Sequence, residues 1–225
     1  MLRCLVLLAL VLSGNTYAKR SSDMMESKAR ASLAPPPPTY PIAVSEIHAH
    51  YQALKLTRPL NSDEADREGL TTVAVALKIE KVTSMNQTAA QADTPSIRNA
   101  ILARIKENPK WDMQLTAVEL QSITPQLELL KKNFGDKSYV WAWFLKQTGK
   151  TTEAKQILVT LFDERCAEVM KMKGTFNRQS PMLPVLEVEQ ALIPLSTEAE
   201  KSKVQKKMQE VKVHVTNLQD YQIMT

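Results

Sequence analysis

The chain has 225 residues and a formal net charge of +5. Five glycines and 5% aromatic residues are few for a β-rich fold, which needs glycine in its turns, so the composition argues for helices. The basic residues are interspersed with acidic ones, which argues against a nucleic-acid-binding surface.

Residues 1–18 have the layout of a secretory signal peptide. Arg3 precedes an apolar run at 5–12, and small side chains stand at Thr16 and Ala18, the third-last and last positions before the expected cleavage. The run is shorter than the roughly 20 apolar residues that span a bilayer. The sequence therefore predicts an exported protein, secreted or periplasmic. The alternatives are an N-terminal membrane anchor and a buried first helix.

The sequence predicts a linker and then one helical domain after the signal. Residues 19–41 are polar and rich in proline, which indicates a disordered linker with a polyproline II stretch. The domain is predicted over 42–223. No later apolar segment is long enough to cross a membrane, so no integral membrane segment is expected after signal cleavage.

Apolar residues at spacings of three and four predict helices throughout this domain. The first is expected at 43–56, and the second begins after the capping residue Asn61 and continues to about residue 84. Asn86 then begins a loop and forms a glycosylation sequon, usable only in a eukaryotic host. Further helices are predicted from residue 94 onward, among them one near 113–122, one at 139–148 and a short one at 185–193, and a long C-terminal helix is predicted at 197–220. The fold class is therefore all-α, a helical bundle or short solenoid-like array of seven to eight helices.

Residues 137–173 are predicted to form an antiparallel helical hairpin that turns at Gly149. Leu145, Gly149, Glu153 and Ala154 match the L-x-x-x-G-x-x-x-E-A centre of the tetratricopeptide repeat, and this segment resembles that repeat. The resemblance implies stacked helix pairs. Folds of that kind need about three units, and no second copy occurs at the repeat's period of about 34 residues. We therefore interpret the segment as a generic helical hairpin.

The C-terminal helix carries a heptad pattern of apolar residues. Val204, Met208, Val211, Val215 and Leu218 follow one another in steps of four and three. A terminal helix packed on its own domain explains this pattern. The alternative is a seam that contacts a protein partner or a second copy.

Trp141 and Trp143 are two further candidates for partner contact. On a helix their side chains diverge by about 200°. One indole can therefore lie in the core while the other reaches the surface, where tryptophan is a common hot spot of protein interfaces. The alternative is that both are buried between helices.

The sequence contains no recognisable catalytic, metal or cofactor motif. His48 and His50 point to different faces of the first helix. Glu46 shares a face with His50, but two ligands make a poor metal site. Cys166 is the one cysteine left after signal cleavage, and its spacing among apolar residues predicts a buried core thiol.

The absence of a motif favours a non-catalytic function. We expect an exported protein-interaction, assembly or structural component, with a protein partner or self-association and no nucleic acid. Two alternatives stay open. One is an enzyme whose site is assembled from scattered residues, and the other is a carrier of an apolar small molecule in a cavity of the bundle.

Overall fold

The computed structural model describes residues 38–85, 88–107, 112–173 and 181–223. The signal peptide, the linker up to residue 37 and Asn86 lie outside these ranges. The elements in chain order are β1 (Tyr40–Ala43), α1 (Val44–Thr57), α2 (Ser62–Ala76), β2 (Lys81–Ser84), α3 (Thr94–Lys106), α4 (Ala117–Ile123), α5 (Leu127–Phe134), α6 (Tyr139–Gln147), α7 (Thr151–Lys171), α8 (Leu183–Leu192) and α9 (Glu198–Ile223). The predicted all-α class is confirmed.

Helix α2 is the centre of the N-terminal half, where it contacts α1, α3, α4 and α5. It begins at a capping box, in which Asn61 accepts from the backbone of Glu64 and the Glu64 carboxylate accepts from the backbone of Asn61. Gly69 permits close packing, because a Cβ there would lie 2.5 Å from side-chain atoms of both Gln126 and Leu129. Because Gly69 has no side chain, Gln126 and the first turn of α5 can pack directly against α2.

The predicted continuation of the second helix to about residue 84 is wrong. Helix α2 ends at Ala76, Lys78 adopts a φ of 58°, and the chain then turns into β2. In the antiparallel pair, Val82 lies opposite Ile42 and both side chains are buried. β-Branched residues favour such a half-buried strand, and pairing with β1 outweighs the helical spacing of the preceding apolar residues.

Local capping explains the other boundary differences. Asp93 caps α3 by accepting from the backbone N–H of Ser96. A capping box between Thr116 and Glu119 starts α4 at Ala117, later than expected. Strand β1 begins at Tyr40, inside the segment interpreted as linker.

Helix α7 is the centre of the C-terminal half, where it contacts α6, α8 and α9. The hairpin predicted at 137–173 is present as α6 and α7. Gly149 joins the two helices with a φ of 80°, a backbone conformation that favours glycine. The core here includes Trp143, Phe144, Leu158 and Phe162.

Helices α7 and α9 run in the same direction. Lys155 pairs with Glu200, and further along both helices Asp163 pairs with Lys207. Residue numbers therefore increase in the same direction on α7 and α9. Helix α8 lies between them in sequence and also contacts α7. Within the described ranges, no helix has both the length and the apolar character needed to span a membrane.

Candidate functional site

The apolar seam of α9 is buried inside the domain. Val204, Met208, Val211 and Val215 belong to the core, and α9 contacts α7. Leu218 is partly exposed. The seam therefore has the environment expected of a terminal helix packed on its own domain, and four of its five residues are covered without a partner.

Ion pairs fix the start of α9 on α7. The ammonium of Lys155 lies 2.6 Å from a Glu200 oxygen. Glu200 also accepts from the backbone N–H of Thr197 at 2.7 Å and from its hydroxyl at 2.9 Å. The hydrogen bond from Lys155, followed by those from Thr197, lowers the pKa of Glu200 from 4.5 to about 2.

Acidification is expected to loosen this contact. Because the pKa of Glu200 is lower in the folded state, the carboxylate adds stability above about pH 4.5, and this contribution is lost as pH falls towards 2. Glu200→Gln should therefore reduce the difference in urea midpoint between about pH 6 and pH 3. Glu198→Gln on the same helix is the control, since Glu198 is highly exposed and its one ion pair among the described residues is with nearby Lys201. An unchanged pH dependence in Glu200→Gln would contradict the assignment.

Both candidate tryptophans are buried. The exposed fraction is 8% for Trp141 and 0% for Trp143. The Trp143 ring packs edge-on against Phe144 with the ring centroids 5.2 Å apart. A nine-residue helix enclosed on several sides buries both indoles, so neither is available as a surface hot spot in this fold.

Cys166 and Lys146 are ionisable side chains of two different helices, and burial shifts both pKa values. Cys166 is buried, as predicted, and burial raises the pKa of its thiol, which makes it a poor nucleophile. Burial lowers the pKa of Lys146, although the charge of Asp112 opposes this. Across the part of the chain that the structure describes, no three His, Cys, Asp or Glu side chains are grouped closely enough to hold a metal ion.

A cleft of about 280 Å³ opens where the two halves of the fold meet. Its walls come from helices α3, α7 and α8, together with the end of α5 and the turn that leads into α6. Residues important for its chemistry are Arg98, Leu102, Lys106, Phe134, Arg165 and Glu187.

One face of α3 supplies the basic wall of the cleft. Ile97, Ile101 and Ile105 form the buried stripe of this helix. The neighbouring stripe, one residue further along, is Arg98, Leu102 and Lys106, and it lines the cleft. Positions four residues apart share a helix face and lie about 6 Å apart along the axis. Two cations thus flank a half-exposed leucine.

Glu187 is the carboxylate of the cleft, and its two oxygens face different cations. Lys106 lies 3.1 Å from Oε1, and Arg165 lies 3.8 Å from Oε2. Arg165 also donates to the carbonyl of Pro184, which anchors its guanidinium to the start of α8. Three cations and one carboxylate leave the cleft with two positive charges in excess.

Arg98 is the cation of the cleft without a counterion. Among the residues that the structure describes, it has neither an ion pair nor a hydrogen bond, and its side chain is exposed. The Ser138 hydroxyl, which also lines the cleft, is engaged elsewhere, since it donates to Gly135 O and accepts from Trp141 N. Arg98 is therefore available to an anionic group brought by a ligand.

Comparison with protein-family models, curated proteins and solved structures finds no match to this chain. The resemblance of residues 137–173 to a tetratricopeptide repeat therefore gains no support beyond the hairpin itself. The residues of the cleft were not among the candidates from sequence. The signal that could have found part of it is the Arg98, Leu102, Lys106 spacing beside the isoleucine stripe of α3.

Proposed function

We propose that the protein is exported and acts as a non-catalytic binding protein that takes part of a protein partner into the cleft. Arg98 carries this proposal. A concave site with an exposed, unpaired guanidinium beside apolar side chains is a common form of protein recognition site, because arginine offers several fixed donors. The apolar neighbours Leu102 and Phe134 provide surface that a partner can cover.

The chemistry of the cleft favours binding over the two alternatives. An apolar small molecule would remove water from charged groups without replacing their hydrogen bonds, which is unfavourable. Catalysis would need a free base or nucleophile, whereas Glu187 serves two cations and the hydroxyl of Ser138 is engaged. The cleft volume is near the lower end for small-molecule sites and suits one or two side chains of a protein.

Affinity capture tests this function. The tagged full chain is expressed in its native host, captured from the exported fraction, and its bound proteins are identified by mass spectrometry. We expect a stoichiometric partner that is lost with Arg98→Glu, because the charge reversal repels the group that the cleft attracts. An N-terminus at Lys19 on the captured protein would support export and signal cleavage.

Lys203→Glu is the matched control, since Lys203 is an exposed lysine of α9 outside the cleft lining. It makes the same change in charge. Equal capture of the partner by both variants, or recovery of the protein without any partner, would contradict the proposed function.

A further inference from the structure

The charge pattern of the cleft points to the kind of segment that it accepts. We infer that the ligand is an acidic segment of the protein partner, in which an apolar side chain lies between two carboxylates. This inference rests on the proposed function and specifies the chemistry of the same site. Its basis is the excess of two positive charges in the cleft and the unpaired state of Arg98 among the described residues.

The spacing along α3 defines the complementary pattern. Arg98, Leu102 and Lys106 succeed one another at intervals of about 6 Å. Alternate residues of an extended chain are also separated by about 6.6 Å on one face. An extended Glu-x-Leu-x-Glu segment therefore places a carboxylate near Arg98, its leucine over Leu102 and Phe134, and its second carboxylate near Lys106.

Glu187 competes with such a ligand inside the cleft. It already neutralises Lys106 at 3.1 Å and faces Arg165 at 3.8 Å. The ligand therefore finds full attraction at Arg98 and reduced attraction at the Lys106 end. Removal of the Glu187 charge should release both cations to the ligand and strengthen its binding, an effect opposite to that of removing Arg98.

Fluorescence anisotropy with the full chain tests this inference. The probe is a fluorescein-labelled peptide amide containing Glu-Ser-Leu-Ser-Glu, and a peptide with Lys in place of both Glu residues is its counterpart. Arg98→Gln should weaken binding of the acidic probe about tenfold, the size expected for a lost charged hydrogen bond. Glu187→Gln should strengthen it about fivefold. Lys203→Gln should leave it unchanged, and thermal unfolding of each variant checks that the fold is retained.

Several results would overturn the inference. These are equal binding of the lysine peptide, displacement of the acidic probe by inorganic phosphate at an equal concentration, or binding of the acidic probe that Arg98→Gln does not weaken or that Glu187→Gln does not strengthen. Failure of this inference is separable from failure of the proposed function. A partner captured through Arg98 but bound no better by Glu187→Gln would retain the function and reject the acidic segment. The expected peptide pattern without any captured partner would retain the chemistry and reject the function.

Discussion

Val211→Asp should lower the free energy of unfolding by about 4 kcal/mol, the cost of an uncompensated charge in a buried site. Val211 is 1% exposed in the packed face of α9. The ion pairs that hold α9 on α7 are Lys155–Glu200 and Asp163–Lys207, so the cations of both pairs are already engaged. The introduced carboxylate therefore remains unpaired, and α9 is expected to detach or the domain to unfold.

Val213→Asp is a matched control on the same helix. Val213 is 48% exposed, so an aspartate there stays in water and should change stability by no more than about 0.5 kcal/mol. Urea unfolding of both variants, followed by circular dichroism, measures the difference. If Val211→Asp were as stable as Val213→Asp, the seam would be free in solution, and the idea that it binds a partner would regain its basis.

Trp143→Ala is expected to cost about 4 kcal/mol, within the range for truncation of a large buried aromatic side chain. Trp143 is fully buried and packs edge-on against Phe144. Removal of the indole leaves a cavity beside α6. This helix connects the two halves of the fold, since it contacts both α5 and α7. If neighbouring side chains moved to fill this cavity, they would disturb the packing of α6 on α5 or on α7.

Trp143→Phe should be much less damaging and cost about 1 kcal/mol or less. The indole Nε1 has no hydrogen-bond partner among the described residues, so Trp143→Phe removes a buried polar group without breaking a hydrogen bond. The smaller ring keeps most of the packing with Phe144. Thermal and urea unfolding of both variants provide the comparison. Equal damage by phenylalanine and alanine would show that the Nε1 group has a stabilising partner.

Local signals predicted the helices, while the strands needed information from far along the chain. Asn61 and Gly149 mark helix boundaries through capping and positive φ, which act within a few residues. Strand β2 forms because Val82 pairs with Ile42, 40 positions earlier. The apolar spacing before Val82 also fits a helix, so the sequence alone led to the wrong choice there.

The candidate site was less predictable because its residues come from separated parts of the chain. Arg98 and Lys106 share one helix face, which could be read from their spacing. Arg165 and Glu187 meet them only through the packing of α3, α7 and α8. For Trp141 and Trp143, helix geometry gave the angle between their side chains but not the number of neighbours around α6, and those neighbours cover both rings.

The parallel arrangement of α7 and α9 has a consequence for how a new chain matures. Lys155 and Glu200 are 45 positions apart, so in a chain that emerges N-terminus first the docking face of α7 is complete well before the helix that covers it. During that interval the apolar side of α7 is open, and a neighbouring chain that has already made its own α9 can insert it there. Folding at high local concentration should therefore favour exchanged dimers, whereas dilute refolding should favour monomers.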